Sequence, residues 1–156
     1  MTDRVVIRPA RHSDAEFVGA CAPLLLEYGS PAWEDPAALA PGFSEVLAGA
    51  VGSKEPRAQV LIAEDADGAR LGFISLKIGQ DVVGSERAHV ADLAVAESAR
   101  RMGVGRALMT AAEEWARREG LTMLSLDVWS TNERALSFYR SIGYVPESLC
   151  LIKRLD

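Results

Sequence analysis

The chain contains little cysteine and little histidine. Cys21 and Cys150 are its only cysteines, and they are too far apart to form a metal-binding motif. Two such thiols are most often buried and reduced, so we expect no disulfide. With only His12 and His89, a histidine-based triad is not expected, and the spaced Cys/His clusters of metal sites are missing. The sequence therefore predicts no metal centre.

Long apolar runs and an excess of positive charge are also missing. No run approaches the roughly 20 residues of a membrane helix, and the first residues lack a signal-peptide pattern, which predicts a cytoplasmic protein with no membrane partner. The net charge of −5 argues against nucleic acid as a partner and is compatible with a cationic substrate. With 49% hydrophobic and 25% charged residues, we expect one globular domain over residues 1–156.

Strand and helix patterns alternate along the chain. A strand, a helix and a strand over residues 89–128 form a βαβ unit, whose two strands should be parallel. The predicted strands are residues 4–8, 59–64, 70–78, 89–95, 122–128 and a terminal antiparallel pair at 144–145 and 149–154; helices are predicted to begin near residues 13, 43, 104 and 132, and residues 79–87 form a polar loop. We expect an α/β fold, a mixed sheet with helices on both faces and the βαβ unit at its centre.

One stretch has unusual electrostatics. Three arginines crowd the N-terminal end of a predicted helix, where the helix dipole disfavours positive charge, and two glycines leave backbone N–H groups uncovered. We therefore predict a phosphate site built from helix N-terminal amides and arginines, with a solvated loop as the alternative. The stretch consists of Arg100, Arg101, Met102, Gly103, Val104, Gly105 and Arg106.

Other phosphate-binding and catalytic motifs do not fit the chain. A dinucleotide-binding loop would need Gly or Ala at the position of Leu108, and no Gly-Lys-Ser/Thr is present. The motifs His-Glu-x-x-His and Gly-x-Ser-x-Gly are missing as well. These gaps argue against a Rossmann-type loop, a nucleoside-triphosphate loop, a zinc protease and a serine hydrolase.

The pattern that is present resembles the GNAT family of acyl-coenzyme A-dependent N-acyltransferases. The resemblance covers about residues 59–146, and the fixed order of its parts makes it specific. It is carried by Leu93-x-Val95, Arg100-x-x-Gly103-x-Gly105 and, beyond a helix and a strand, Asn132…Ala135…Phe138-Tyr139…Gly143-Tyr144.

The resemblance implies a fold, a cosubstrate and site residues. It implies a mixed, mostly antiparallel sheet of six to seven strands with two splayed parallel strands, and acetyl-CoA as the acyl donor. Residues 100–106 would bind its pyrophosphate, and the backbone of Leu93, Ala94 and Val95 would pair with the pantetheine arm. Asn132 and Tyr139 would contact the coenzyme, with Tyr139 as the general acid. The chain departs from the family at residues 96–98, where Pro is common, and at residue 101, where Gly is common.

The general base is left open between Asp92, His89 and water. Asp92 adjoins the predicted coenzyme strand, and His89 lies on the same strand. Strand alternation is expected to give two faces: Leu93 with Val95, and Val90 with Asp92 and Ala94.

Each candidate side chain also has a structural interpretation. Asn132 and Tyr139 are two helical turns apart and should share a face, but Asn132 could be a helix cap and Tyr139 a core aromatic. Asp92 could be a hydrogen-bonded structural carboxylate, and His89 a strand-edge residue.

The predicted reaction transfers an acetyl group from acetyl-CoA to a primary amine by direct attack in a ternary complex. No acyl-enzyme is expected, because neither cysteine adjoins the motif. One alternative is a non-catalytic module that senses acyl-CoA, and another is a nucleotide-binding protein that uses the same anion site. The acceptor, a small-molecule or peptide amine, stays open, and the N-terminal helices with residues 79–87 are expected to select it. A homodimer is one expected assembly.

Overall fold

The computed structural model describes residues 4–27 and 32–155, in which the chain forms five strands and five α-helices. The strands are β1 (Val6–Pro9), β2 (Gln59–Glu64), β3 (Arg70–Gln80), β4 (Glu86–Val95) and β5 (Leu124–Leu126). The helices are α1 (Ala15–Ala20), α2 (Ala22–Leu26), α3 (Pro36–Val51), α4 (Val104–Arg118) and α5 (Glu133–Ser141). None of the helices in these ranges is long and apolar enough to cross a membrane.

The five strands form one mixed sheet in the order β1-β2-β3-β4-β5. The first three pairings are antiparallel, and β4 pairs with β5 in parallel. Helix α4 connects these two strands, which confirms the predicted βαβ unit. Two parallel strands cannot be joined by a tight turn, so the crossover has to leave the sheet plane and return as a helix on one face.

Helices cover both faces of the sheet, as predicted. Helix α4 turns an apolar stripe onto one face, where Leu108 and Met109 are fully buried. Helices α1, α2 and α3 cover the other face, where Val18 and Leu47 pack with Phe73. The sheet is therefore the middle layer between two apolar cores.

The N-terminal helices differ from the prediction in length. The first predicted helix is broken at Cys21 into α1 and α2, next to Pro23, whose missing N–H suits the first turn of a new helix. Helix α3 begins at Pro36 and not near residue 43, because Asp35 caps it by accepting a hydrogen bond from the Ala37 N–H at 3.0 Å. The Asp-Pro pair was the available signal for this start.

A buried charge cluster joins β1 to the start of α1. Asp14 has no exposed surface and accepts hydrogen bonds from the Arg11 N–H and from two arginine side chains. The Arg8 guanidinium contacts its Oδ2 at 2.7 Å, and the Arg70 Nε contacts its Oδ1 at 2.6 Å. Arg8 also contacts Glu64 at 2.7 Å, so the cluster links β1, β2 and β3.

The predicted polar loop at residues 79–87 is shorter than expected. Strands β3 and β4 extend into it and leave a tight turn at residues 81–85. The Asp81 side chain closes this turn by accepting from the Val83 and Ser85 N–H groups at 2.9 and 2.8 Å. Asx-type bonding of this kind is a common way to hold a hairpin.

The predicted terminal strand pair is wrong. Residues 144–155 form no strand, so the described sheet has five strands and not six to seven. Leu149 and Leu151 are 75% and 84% exposed. An alternating apolar pattern makes a strand only where a partner strand and a packing face are available, and β5 is only three residues long.

Candidate active site

A cleft opens where β4 and β5 separate. The two strands pair only from Ala88 opposite Leu124 to Val90 opposite Leu126. Strand β4 continues for five more residues, whereas β5 ends at Leu126. The resulting cleft has a volume of about 720 Å³ and is lined by β4, by the segment after β5, and by α2, α3 and α5.

A β-bulge in β4 sets which residues face this cleft. Leu76 pairs with Val90 and Ser75 pairs with Asp92, so Ala91 has no partner on β3. The extra residue reverses the side on which the following side chains of β4 lie, because two residues of β4 lie opposite one residue of β3. Val90 therefore packs in the α4 core with Leu93, and not on the face of Asp92 as predicted.

Asp92 lines the cleft and is partly buried. Its Oδ2 accepts a hydrogen bond from the Ser75 hydroxyl at 2.9 Å. Burial raises the pKa of the Asp92 carboxyl above its usual range, and the Ser75 hydrogen bond opposes that shift by stabilising the charged form. The carboxylate is thus a stronger base than an exposed aspartate, and a polar partner orients it.

His89 lies on β4 but is not among the described residues that line the cleft. Its Nδ1 is 2.9 Å from the Ser125 hydroxyl, and its Nε2 is 3.6 Å from Asp127 Oδ2. Burial lowers the pKa of the His89 imidazole, which keeps it neutral near pH 7. Of the two predicted bases, Asp92 is therefore the one that the cleft contains.

Helix α5 presents one face to the cleft. Asn132, Ala135 and Tyr139 line it, as expected for residues on one side of a helix. The Asn132 side chain accepts from the Ala135 N–H at 3.1 Å, so it caps the helix, which was its structural interpretation. Burial raises the pKa of the Tyr139 hydroxyl to about 12, and the ring stacks at an angle on Phe138.

The arginine-rich stretch forms a turn that opens α4. Arg101 and Gly103 have φ values of +66° and +77°, in the left-handed region that favours glycine. No described side chain caps this end of α4, and its first turn carries no acidic residue. The free N–H groups of that turn are the usual anion-binding groups of a helix. Gly105 packs on α5, where an added Cβ would lie 3.4 Å from the Phe138 ring.

The three arginines differ in their surroundings. Arg100 is directed toward α2 and lies 3.4 Å from Glu27, with Glu97 at 3.9 Å. Arg101 and Arg106 are exposed. Met102 is also exposed, and Val104 is buried in the α4 core.

The sequence did not identify one whole wall of the cleft. Phe43 of α3 lines the cleft, and Trp33 is not among its lining residues. The missed residues are Leu24, Leu25, Leu26, Ala38, Leu39 and Gly42 from α2 and α3, and Asp127, Val128 and Trp129 after β5. The only signal for the first group was an apolar helix face, which predicts core packing equally well.

The chain is similar in sequence to known acetyltransferases. The model of the acetyltransferase (GNAT) family matches residues 22–144. Over 118 residues the chain is 38% identical to an aminoglycoside N(6')-acetyltransferase type 1 from Klebsiella aerogenes, a match to 72% of this chain and 76% of that protein. Over 103 residues it is 32% identical to streptothricin acetyltransferase from Streptomyces lavendulae, a match to 66% of this chain and 52% of that protein.

The fold is also similar to solved structures. A GCN5-related N-acetyltransferase from Ralstonia eutropha has a TM-score of 0.75 at 22% identity and covers 97% of this chain and 99% of its own. An aminoglycoside N-acetyltransferase solved in complex with CoA has a TM-score of 0.72 at 19% identity and covers 99% of this chain and 97% of its own. At these identities the likeness concerns the fold.

Proposed function

The chain belongs to the acetyltransferase (GNAT) family and is an acyltransferase acting on amines, and we propose that it moves an acetyl group from acetyl-CoA directly to a primary amine. The observation that carries this proposal is the cleft between β4 and β5, which has Asp92 on one side and Tyr139 on another. Direct aminolysis of a thioester is helped by a base for the amine and by a proton or hydrogen-bond donor for the leaving sulfur.

The donor is proposed to bind along β4 with its pyrophosphate at the start of α4. Beyond Val90, β4 has no strand beside it on the β5 side within the described residues, so backbone groups near Leu93 and Val95 can pair with an amide-containing arm. The uncapped first turn of α4, with Arg101 and Arg106 nearby, supplies N–H groups and positive charge for the phosphates.

Replacing Arg106 by alanine should weaken coenzyme A binding about threefold to tenfold, because an exposed charge-assisted contact to phosphate is lost. The loss should shrink in high salt, which screens exposed charges. Isothermal titration at two salt concentrations measures the loss of affinity and its dependence on salt. Arg118→Ala, at the opposite end of the same helix, is the matched control. Pantetheine, which has no pyrophosphate, should bind both variants equally; an Arg106→Ala effect on pantetheine would contradict the assignment.

The acceptor amine must lose a proton before it attacks. An alkylammonium with a pKa near 10.4 is neutral in only about one molecule per thousand at pH 7. Asp92, with its raised pKa and its place in the cleft, is the proposed base, directly or through water. The nitrogen then forms a bond to the thioester carbonyl carbon and gives up a second proton, the carbon–sulfur bond breaks, and the sulfur leaves as a thiolate that takes up a proton.

Ser75→Ala tests the assignment of the base. Its hydroxyl stabilises the charged Asp92 carboxylate, so its removal should raise the pKa of Asp92 further. A base works only when deprotonated, so the acidic limb of the kcat/KM profile should move to higher pH. Ser125→Ala is the matched control, since that hydroxyl contacts His89. A limb that moves in Ser125→Ala and stays in Ser75→Ala would assign the base to His89.

The function itself is tested by release of free coenzyme A thiol from acetyl-CoA against a panel of amines. Coenzyme binding with no amine-dependent release would favour the acyl-CoA-sensing alternative, and ADP binding as tight as coenzyme A would favour a nucleotide-binding protein. The relatives named for aminoglycoside and streptothricin acetylation favour a small-molecule acceptor over a peptide. A homodimer stays a prediction, which light scattering on the purified protein checks.

A further inference from the structure

We propose that the acceptor is a small monoamine with an apolar body, such as an alkylamine or an aralkylamine, and not a polycationic sugar. This inference rests on the proposed acetyl transfer and concerns the acceptor half of the same cleft. Its basis is the composition of the wall that α2 and α3 turn toward the cleft.

That wall carries only apolar groups among the described residues. Its members are Leu24, Leu25, Leu26, Ala38, Leu39, Gly42 and Phe43. They lie on the α1–α3 side of the sheet, whereas α4 and its phosphate-binding turn lie on the other side. A donor that enters from the α4 side therefore leaves the α2 and α3 wall to the acceptor. An acceptor with many hydroxyl groups would lose hydrogen bonds to water there and gain none.

The carboxylates that line the cleft can pair with one cationic group of an acceptor. Asp92 and Asp127 are the only charged side chains among the described residues that line it. The Asp127 side chain is 99% exposed, so water and salt weaken its attraction for a cation. Asp92 is bonded to Ser75 and serves the reacting amine itself. Further ammonium groups of a polycation would thus be desolvated in the cleft with no carboxylate to pair them.

An aromatic side chain lies in the segment that follows β5. Trp129 lines the cleft and keeps 53% of its surface exposed. An exposed indole offers a flat apolar surface on which an aromatic or aliphatic body can pack. The cleft volume of about 720 Å³ also has to hold the acetyl-bearing end of the donor. The space left over suits a small acceptor.

A first experiment compares acceptors. Initial rates of thiol release from acetyl-CoA are measured with hexylamine, 2-phenylethylamine, spermidine and kanamycin. We expect kcat/KM for the two apolar monoamines to exceed that for the two polycations by about tenfold or more, from burial of the apolar body. Preference for kanamycin or spermidine overturns this inference and leaves the proposed function standing. No release with any amine overturns the proposed function and this inference with it.

A second experiment places a charge on the wall. Leu39 is 39% exposed, so Leu39→Glu can be accommodated without disturbing the core. The variant should lower kcat/KM for hexylamine about tenfold and leave coenzyme A binding unchanged. Val46→Glu adds the same charge on the same helix at a 67% exposed position outside the cleft, and should leave kcat/KM unchanged. Equal effects of the two variants, or no effect of Leu39→Glu, would overturn the assignment of this wall to the acceptor.

Discussion

Replacing Tyr139 by phenylalanine is expected to lower kcat by about 10²- to 10³-fold, while the dissociation constant of acetyl-CoA changes less than about twofold. The ring stays in place because its packing on Phe138 does not need the hydroxyl. Only the O–H group is lost, which in the proposed reaction faces the leaving sulfur as it gains negative charge. A single-turnover measurement of thiol release, beside a titration with coenzyme A, separates the two quantities.

The raised pKa of Tyr139 limits the part that this hydroxyl can take in the proposed proton transfer to sulfur. With a pKa of about 12 it is protonated throughout the usual assay range. A thiol has a pKa near 8.5, so complete proton transfer from this tyrosine to a thiolate is unfavourable in the resting site. In the proposed reaction the hydroxyl would therefore act first as a hydrogen-bond donor to the developing thiolate, and the sulfur would complete its protonation as the products leave. The kcat profile should accordingly show no basic limb from Tyr139 below about pH 10.

Tyr144→Phe is the matched control for this variant. Tyr144 lies edge-on to Tyr139 with ring centroids 6.0 Å apart, and its hydroxyl donates to Glu113 on α4 at 3.3 Å. It is not among the described residues that line the cleft, so its kcat should stay close to that of the unmodified protein. Equal losses in the two variants would point to a structural effect, and full activity of Tyr139→Phe would remove this residue from the chemistry.

Asp14→Asn should destabilise the fold by about 3 kcal/mol, the lower end of the range for breaking a buried ion pair. The lower end applies because the Arg70 side chain is 35% exposed and can turn to water. Arg8 is only 14% exposed and would lose its two contacts to the carboxylate. For a chain of this length the loss corresponds to a fall in Tm of about 6–12 °C. Urea unfolding and calorimetry measure the two quantities.

The pH dependence of the stability lost in this variant follows from the direction in which the pKa of Asp14 is shifted. The two arginines hold the pKa of the Asp14 carboxyl well below its usual range. A lowered pKa in the folded state gives stability that is complete above the unfolded value of about 3.9 and is lost as the pH falls below it. The difference in unfolding free energy between the unmodified protein and Asp14→Asn should therefore be constant near pH 7 and shrink below about pH 4.

Asp67→Asn is the control for Asp14→Asn. Asp67 is exposed in the turn between β2 and β3, so its replacement should change the unfolding free energy by less than about 0.5 kcal/mol. Equal stability of the two variants, or a difference that persists unchanged at low pH, would contradict the role assigned to the cluster. The cluster holds the start of α1, and α2, which follows α1, lines the cleft.

Much of the fold could be predicted because its signals are local. The apolar runs that predict β2 and β3 and the apolar stripe of α4 depend on neighbouring residues, and the structure has these two strands and this helix. Asn132 and Tyr139 were placed on one face of α5 from their spacing, which follows from helix geometry alone. The terminal strand pair failed because a strand needs a partner, and the sequence pattern does not supply one.

The bulge at Ala91 illustrates what pattern reasoning misses. No residue type in β4 marks an extra residue, and the strict alternation of a regular strand predicted the wrong face for Val90. The bulge exists only as a mismatch between β3 and β4, which is a property of two strands and not of one.

The sequence by itself determined the family, the order of strands and helices from β1 to α5 apart from the break between α1 and α2, and the turn at residues 100–106 that opens α4. These depend on backbone preferences, on spacing along the chain and on charge at a helix end, all of which act within a few residues. The resemblance had implied two splayed parallel strands, but only the tertiary structure placed their separation after Val90. It also decided that Asp92 and not His89 lines the cleft, and that α2 and α3 close it with an apolar wall. Those features arise from contacts between residues far apart in the chain, and an apolar helix face has the same pattern whether it packs in a core or faces a substrate.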